Sequence, residues 1–535
     1  MAKLIQQNQG MRLHQVLNAV VMLVLAFVVV RVFNERPSYT DAYYHYNAAV
    51  RLASGDGLVD DYLWTYIAAP DALPAPSHLY WMPLTSIVSA VSMSLFGVNY
   101  FGAQVGLALA IWAASLVAFW LGVRFTGRIF LGWLASFLLL GGGFLLRMWG
   151  ITDTFAIYAF VGSISLLLMG LGLADSHRRW LWWILAGVFA ALGHLTRSDG
   201  LLLLLVGMIS LLWPLRSATM TWRSRSQFLG LFVVSYLIVM LPWFLRNLNI
   251  IGSILPVGGT QAIWYTQYED LFNYPPDANP QTFFESGLDQ ILQSRIEGMM
   301  SAIQNLIAIE GYIILTPFML YALWVRRRDP FMRPMIWFAI GLHVAFSIVF
   351  TYPGIRGGML HGLTALMPFW AALSFVGLQS AVSWMAARLS HWDQYKAETG
   401  FSLMMAVVAI VFGLALGLPR RVLANDPMPE LYQTLKQIVP EGERVMLNNP
   451  SELYYYTGLG GVSLPNEGPD VVQDIAAKYD IDYLVVQYKQ NDADTSDSLT
   501  ILLPEPLIFD LDNPPAFLTP LNIEIDGARV YAITH

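Results

Sequence analysis

Long apolar runs separated by short polar turns fill most of the chain. They lie near 16–33, 101–123, 129–146, 154–174, 180–196, 200–215, 228–246, 306–325, 333–351, 363–387 and 401–419. A helix needs roughly 20 apolar residues to cross a hydrocarbon core of roughly 30 Å. The pattern predicts a mainly α, polytopic membrane protein with about eleven transmembrane helices. The first run has no small-residue cleavage site and further spans follow it, so it reads as a retained anchor. The run "LTSIVSAVSMSLFG" (84–97) is too short to cross and lies along the interface or re-enters. Past residue 420 the pattern changes. "PELYQTLKQIV" (429–439) and "PDVVQDIAAKYD" (469–480) have the period of amphipathic helices, and "IDYLVVQY" (481–488) and "ARVYAIT" (528–534) read as strands. A transmembrane domain over 1–420 is thus followed by a small α/β domain over 421–535.

Basic residues orient this layout. Lys3, Arg12, Arg124, Arg128, Arg178, Arg179, Arg216, Arg223, Arg225, Arg326, Arg327, Arg328, Arg333, Arg388 and Lys396 fall at alternate ends of the runs. By the positive-inside rule those ends are cytoplasmic. The N-terminus is then cytoplasmic, and the loops 34–100 and 247–305 and the C-terminal domain are extracytoplasmic. The chain reads as a multi-pass protein of the cell membrane, with the lipid bilayer as its first partner.

Composition agrees: 56% of the 535 residues are hydrophobic and 13% are charged, against about a quarter charged in soluble domains. The chain has no cysteine, which excludes disulfides, thiolate metal sites and cysteine nucleophiles. A net charge of -7 without a basic tail gives no reason to expect a nucleic-acid partner.

The outer ends carry charges that orientation does not require. Asp41 opens the first loop in "TDAYYHY", beside Tyr44 and His45. Arg147 and Asp153 flank "RMWGITD", Arg197 and Asp199 sit in "HLTRSDG", and Arg246 ends "LPWFLR". Glu310 lies at the outer start of the eighth span, Arg356 and His361 sit in "YPGIRGGMLHG", and Tyr268 lies in the aromatic "YTQYEDLF", a candidate lid. Taken singly, such arginines snorkel, such tyrosines form an interfacial belt, and Asp199 caps a helix. As a set from separate turns on one face they predict a shared polar cavity, because charges at membrane depth cost a few kcal/mol each and need partners or a ligand. Arginine forks bind phosphate, a carboxylate can deprotonate a hydroxyl or amine, and aromatic faces suit sugar rings. Those parts match transfer of a sugar from a lipid phosphate, with a carboxylate at the outer boundary as the base. Asp41, His45 and Asp153 could also offer ligands to a divalent metal, since His45 lies one helical turn after Asp41. The other reading of His45 is a surface position on a loop helix. No cofactor is demanded. The pairs Asp60–Asp61 and Glu269–Asp270 are poor chelates, because adjacent side chains point apart.

The order of these motifs resembles the GT-C membrane glycosyltransferases, which include protein O-mannosyltransferases, lipid A aminoarabinose transferases and oligosaccharyltransferases. The resemblance covers about 15–420. It rests on "DAYYHYNAAVRLASGDG" opening a large first loop, the interfacial "PLTSIVSAVSMSLFG", the acid of "TDTFAIYAF", "LTRSDG" and "PWFLRN". It implies a polyprenyl-phosphate-linked sugar donor and an extracytoplasmic active site. The essential first-loop acid carries onto Asp41 and a second catalytic or orienting acid onto Asp153. Contacts to the lipid phosphate carry onto Arg246, Arg197 and Arg356, with Arg147 beside them, and Tyr44, His45, His361, Glu310 and Tyr268 become pocket residues. The sequence departs from protein O-mannosyltransferases where Ala42 follows Asp41 in place of a glutamate, and it lacks the Trp-Trp-Asp-Tyr-Gly signature of oligosaccharyltransferases. Transport of a lipid-linked precursor, oligosaccharyltransferase-like transfer to protein, and a non-catalytic scaffold stay open at this point, as do the sugar and the acceptor.

Overall fold

The computed structural model describes residues 2–175, 177–213, 220–389, 392–422, 427–487, 513–525 and 527–535. Arg216 and the end of the 481–488 run fall outside them. Among the described residues, seven helices are long and apolar enough to cross a membrane: Gly10–Phe33, Tyr100–Thr126, Phe155–Ala174, Trp222–Ile251, Pro330–Val349, Thr351–Ala386 and Gln394–Gly417. The chain is a multi-pass membrane protein. Shorter helices, Ile129–Gly141, Arg179–Thr196, Leu201–Leu212 and Thr316–Arg326, stand at the other predicted spans. Two of those spans are interrupted. The run 129–146 stops at the glycines 141–143 before a short turn, Phe144–Arg147. The run 306–325 opens with a wide π-type turn, Leu306–Glu310, and Tyr312 and Ile313 in left-handed conformation precede its helix.

Burial sorts the helices. Phe155–Ala174 and Thr351–Ala386 are mostly enclosed, whereas Gly10–Phe33, Trp222–Ile251 and Gln394–Gly417 expose most of their apolar surface. Val234, Ile238 and Leu241 are among the exposed apolar side chains of Trp222–Ile251. Such a surface belongs in hydrocarbon, where the backbone bonds of a helix are satisfied internally. The helix Leu84–Phe96 buries Ser86, Ser89 and Met93 and exposes Val91, Leu95 and Phe96, which suits the interfacial position expected from its length.

One end of the bundle carries a six-stranded sheet, ordered Tyr62–Leu63, Gly461–Val462, Val445–Met446, Tyr483–Gln487, Ala528–Ile533 and Leu518–Ile525. The first four strands run parallel, and the last two add antiparallel pairs. The predicted amphipathic helices appear as Glu430–Ile438 and Pro469–Tyr479, joined by Pro450–Thr457. Leu435, Val445 and Leu453 fill one apolar core of this domain, and Val472, Ile475 and Leu484 fill another. The sheet is not made from the tail alone, since its edge strand Tyr62–Leu63 comes from the first loop.

Candidate functional site

The helix Thr40–Ser54 begins with Asp41 in its first turn, where the exposed N–H groups and the helix dipole favour a negative charge. The turn 148–154 faces that helix end. Gln104 Nε2 donates to the carbonyls of Gly150 (2.9 Å) and Asn34 (2.8 Å), and Thr152 Oγ1 donates to the Ala42 carbonyl (2.8 Å). These bonds bring Asp153 beside Asp41. His361 arrives from the helix turn Met359–Gly362. It stacks on Phe155 (centroids 4.1 Å) and its Nδ1 lies 2.7 Å from the Gly357 carbonyl. Gly357 has φ +110, a left-handed conformation that a side chain would strain.

Ligand atoms of Asp41, Asp153 and His361 all lie within 4.8 Å of one another. Asp153 Oδ2 accepts from Tyr39 Oη (2.6 Å) and meets His361 Nε2 at 2.8 Å. Burial alone would raise the Asp153 pKa, but the His361 contact outweighs it and holds the carboxyl well below the usual carboxylate range. Asp41 goes the other way. Burial raises its pKa, the Asp153 charge raises it further, and His361 and Arg197 offset only part. One acid is therefore kept ionised while its neighbour is tuned upward, the arrangement that separates two carboxylates into different roles.

Both acids open into a cavity of about 350 Å³. Its polar wall includes Arg197, Asp199, Arg356 and His361, and its apolar wall includes Leu201, Leu205 and Phe346. Arg197 Nε donates to Asp199 Oδ1 (2.8 Å) and Nη2 to the Gly358 carbonyl (2.9 Å), so this guanidinium ties two turns together at the cavity edge. The glycine of "LTRSDG" has a steric reason: a Cβ on Gly200 would sit 2.3 Å from the Gly193 carbonyl oxygen. Arg356 Nη2 pairs with Glu269 Oε1 at 2.8 Å, and its guanidinium lies 5.1 Å from the centre of the Tyr268 ring, which also faces the cavity.

Of the residues predicted from sequence, Asp41, Asp153, Arg197, Arg356, His361 and Tyr268 meet at this cavity. The others lie elsewhere. His45 Nδ1 lies 3.0 Å from Ser86 Oγ, and the ring is buried against the interfacial helix, where burial lowers its pKa to about 4. The third member of the carboxylate cluster is accordingly His361, and the Asp41–His45–Asp153 set is corrected. One helical turn of spacing fixes a shared face but not which neighbour that face meets. Tyr44 Oη donates to Asp60 Oδ2 (2.7 Å) outside the main cavity. Arg246 Nη2 donates to the Ser77 carbonyl (2.5 Å) and its guanidinium lies over Trp243 (4.6 Å), anchoring the first loop. Arg147 is buried over Phe144 (4.4 Å). Glu310 is enclosed among the helices, accepting from Trp370 Nε1 (2.9 Å) and 3.1 Å from His343 Nε2. The sequence reading passed over Trp64, Tyr80 and Trp81, which form an aromatic side of the cavity, with Trp64 and Trp81 stacked at 3.9 Å. It also set aside Glu269, whose partner across the fold no local spacing reveals.

No protein-family model matches the chain, and no curated protein does. Solved structures are similar. ArnT from Cupriavidus metallidurans bound to undecaprenyl phosphate is 15% identical, with 97% of each chain covered and a TM-score of 0.56. The oligosaccharyltransferase AglB from Archaeoglobus fulgidus, in complex with an inhibitory peptide and a dolichol-phosphate, is 13% identical over 87% of this chain and 69% of that one, with a TM-score of 0.55. An Archaeoglobus fulgidus oligosaccharyltransferase in complex with Zn and sulfate is 14% identical over 88% and 67%, with a TM-score of 0.56. At these identities the likeness shows the fold alone, one shared with ArnT and AglB.

Proposed function

We propose that the chain transfers a sugar from a polyprenyl-phosphate-linked donor to an acceptor at the sheet-bearing end of the bundle, and that this end is extracytoplasmic. The observation that carries the reading is the single cavity in which Asp41, Asp153 and His361 meet Arg197 and Arg356 beside a leucine-lined wall. The undecaprenyl phosphate of the ArnT structure and the dolichol-phosphate of the AglB structure support a donor of that class. The distribution of arginine and lysine supports the orientation.

In this reading the acceptor hydroxyl or amine gives its proton to the Asp41 carboxylate. Its electron pair forms the new bond to the anomeric carbon while the bond from that carbon to the phosphate oxygen breaks. The phosphate leaves with the electron pair of the broken bond, and Arg356, together with the Arg197 charge, stabilises the developing negative charge. Asp153 keeps its charge throughout and orients His361. The leucine wall takes the first isoprene units, and the aromatic side formed by Trp64, Tyr80 and Trp81 takes a sugar ring.

The same residues fit a divalent cation. With its Nδ1 proton on the Gly357 carbonyl, His361 aims Nε2 at the Asp153 carboxylate, and with Asp41 within 4.8 Å the three residues would hold such a cation. Two carboxylates and an imidazole suit Zn²⁺ or Mn²⁺, and the Archaeoglobus fulgidus structure contains Zn. A bound cation would supply Lewis-acid stabilisation of phosphate charge.

The test is reconstitution of the full chain in liposomes with polyprenyl-phosphate sugars of several kinds and cell-envelope acceptors. The expected result is release of free polyprenyl phosphate matched by sugar on an acceptor. Movement of intact donor across the bilayer, without cleavage of any sugar, would overturn the proposal in favour of a flippase.

A further inference from the structure

The C-terminal domain grips the cavity wall at one short turn. The residues Tyr268–Phe272 form a single 3-10 turn from the loop before the helix Leu288–Asn305. Asn466 follows the strand Gly461–Val462 and reaches across to it. Its Nδ2 donates to the Glu269 carbonyl (2.7 Å) and to Asn273 Oδ1 (2.5 Å), so one amide uses both protons on the two ends of the turn. The Asn466 N–H donates to the Phe272 carbonyl (3.3 Å), and Glu467 Oε2 accepts from the Tyr274 N–H (3.1 Å). From the other side Thr65 Oγ1 donates to the Leu271 carbonyl (2.6 Å).

The far side of the turn carries Tyr268 and Glu269, and these hold Arg356. Arg356 needs a holder. It sits at a break in its own helix, with non-helical φ/ψ followed by Gly357 at φ +110, so its backbone leaves the side chain weakly directed. The Glu269 carboxylate takes one amino nitrogen and leaves the rest of the fork toward the cavity.

We infer that Asn466 is a positioning residue for Arg356, acting through the Tyr268–Phe272 turn and Glu269, and that this is a task of the C-terminal domain. The inference rests on Arg356 being a donor-phosphate contact. Asn466 is not among the residues that line the cavity. It fixes where the guanidinium points, a geometric demand that phosphate recognition imposes strictly.

The experiment measures the Kd of undecaprenyl phosphate for the full chain in nanodiscs, in wild type, Asn466→Ala, Glu269→Gln, the double variant and Arg356→Ala. Asn466→Asp, which keeps the shape but removes both donors, is the second test of the clamp. Asn466→Ala and Asn466→Asp are expected to weaken binding about fivefold, the ratio that corresponds to one net hydrogen bond. In the Glu269→Gln background, where the ion pair that ties Arg356 to the turn is lost, Asn466→Ala is expected to change Kd less than twofold. A general structural role would weaken binding equally in both backgrounds, and that result, or unchanged binding in Asn466→Ala and Asn466→Asp, overturns the inference. Unchanged binding in Arg356→Ala overturns the phosphate-contact reading itself. Weakened binding there together with unchanged binding in the Asn466 variants overturns only the role of Asn466.

Discussion

Replacing Asp41 by asparagine removes one charge at almost constant volume and separates catalysis from stability. If Asp41 is the base, transfer should fall by about 10²–10⁴, the usual contribution of general-base catalysis, or roughly 3–5 kcal/mol on the barrier. Stability should move the other way. The ligand atoms of Asp41, Asp153 and His361 lie within 4.8 Å of one another. Two full negative charges at that distance repel by about 3 kcal/mol at an effective dielectric near 20. His361 and Arg197 return part of this, leaving a gain of about 1–2 kcal/mol for the variant. The pH dependence has a fixed sign. The Asp41 pKa is raised in the fold, so the ionised fold bears the cost above that pKa and loses it as pH falls into the ordinary carboxylate range. The assay is sugar release from a polyprenyl-phosphate donor, beside Tm at pH 8 and pH 4. The expected variant is inactive, has a Tm a few degrees higher at pH 8, and matches wild type at pH 4. Undiminished transfer refutes the base. A lower Tm at pH 8 refutes the charge argument.

Three further outcomes follow from named contacts. His361→Ala should weaken binding of Zn²⁺ or Mn²⁺ by at least about tenfold in direct titration, and chelation of wild type should lower transfer until metal is restored; a variant that titrates like wild type removes His361 from the cation site. Burial pushes the Asp60 carboxyl up to about 7 against the bond from Tyr44, so its stabilising protonated form is present at low pH and lost as pH rises through 7; Asp60→Asn should flatten Tm between pH 5 and 8, and an unchanged slope contradicts it. Arg246→Ala should lower Tm through loss of the bond to the Ser77 carbonyl, roughly 1.5–3 kcal/mol, while the Kd of undecaprenyl phosphate stays within about twofold; a tenfold loss would return Arg246 to the phosphate.

The bilayer explains why so much of the fold was legible. It forces backbone groups to bond within each segment and side chains to be apolar, so the helix from Tyr100 to Thr126 announces itself in composition. Polar residues at helix ends stand out for the same reason, and Asp41, Asp153, Arg197, Arg356 and His361 could all be named. What spacing could not supply was the partner of each. His45, one helical turn after Asp41, was the histidine expected beside it, but the helix Leu84–Phe96 takes it through Ser86, and His361 arrives from a distant turn instead. Arg246 and Arg356 both end apolar runs, yet one bonds a loop carbonyl and the other reaches a cavity through Glu269. The strand Tyr62–Leu63 has only two residues. That is too few for alternation to show, and its partner Gly461–Val462 lies in the other domain.

Two acids that repel one another do not stay together through their own chemistry, so the surrounding fold must hold them. The contacts around Asp41 and Asp153 answer that demand. The bond from Thr152 to the Ala42 carbonyl stitches the two acid-bearing segments directly, and Tyr39 and His361 fix the Asp153 carboxylate from two sides. The same logic extends outward, where Arg197 ties its turn to the one before His361 and Asn466 holds the turn that holds Arg356. The charges come from several segments, which are held by neutral bonds from Thr152 and Asn466 and by charged ones from Arg197 and the Glu269–Arg356 pair. The side chains of Asp41, Asp153, His361, Arg197 and Arg356 also line the cavity, where under the proposed function a phosphate or a cation would meet them. Removing the Asp41 charge is therefore expected to stabilise the fold, while removing a stitch is expected to loosen both fold and site.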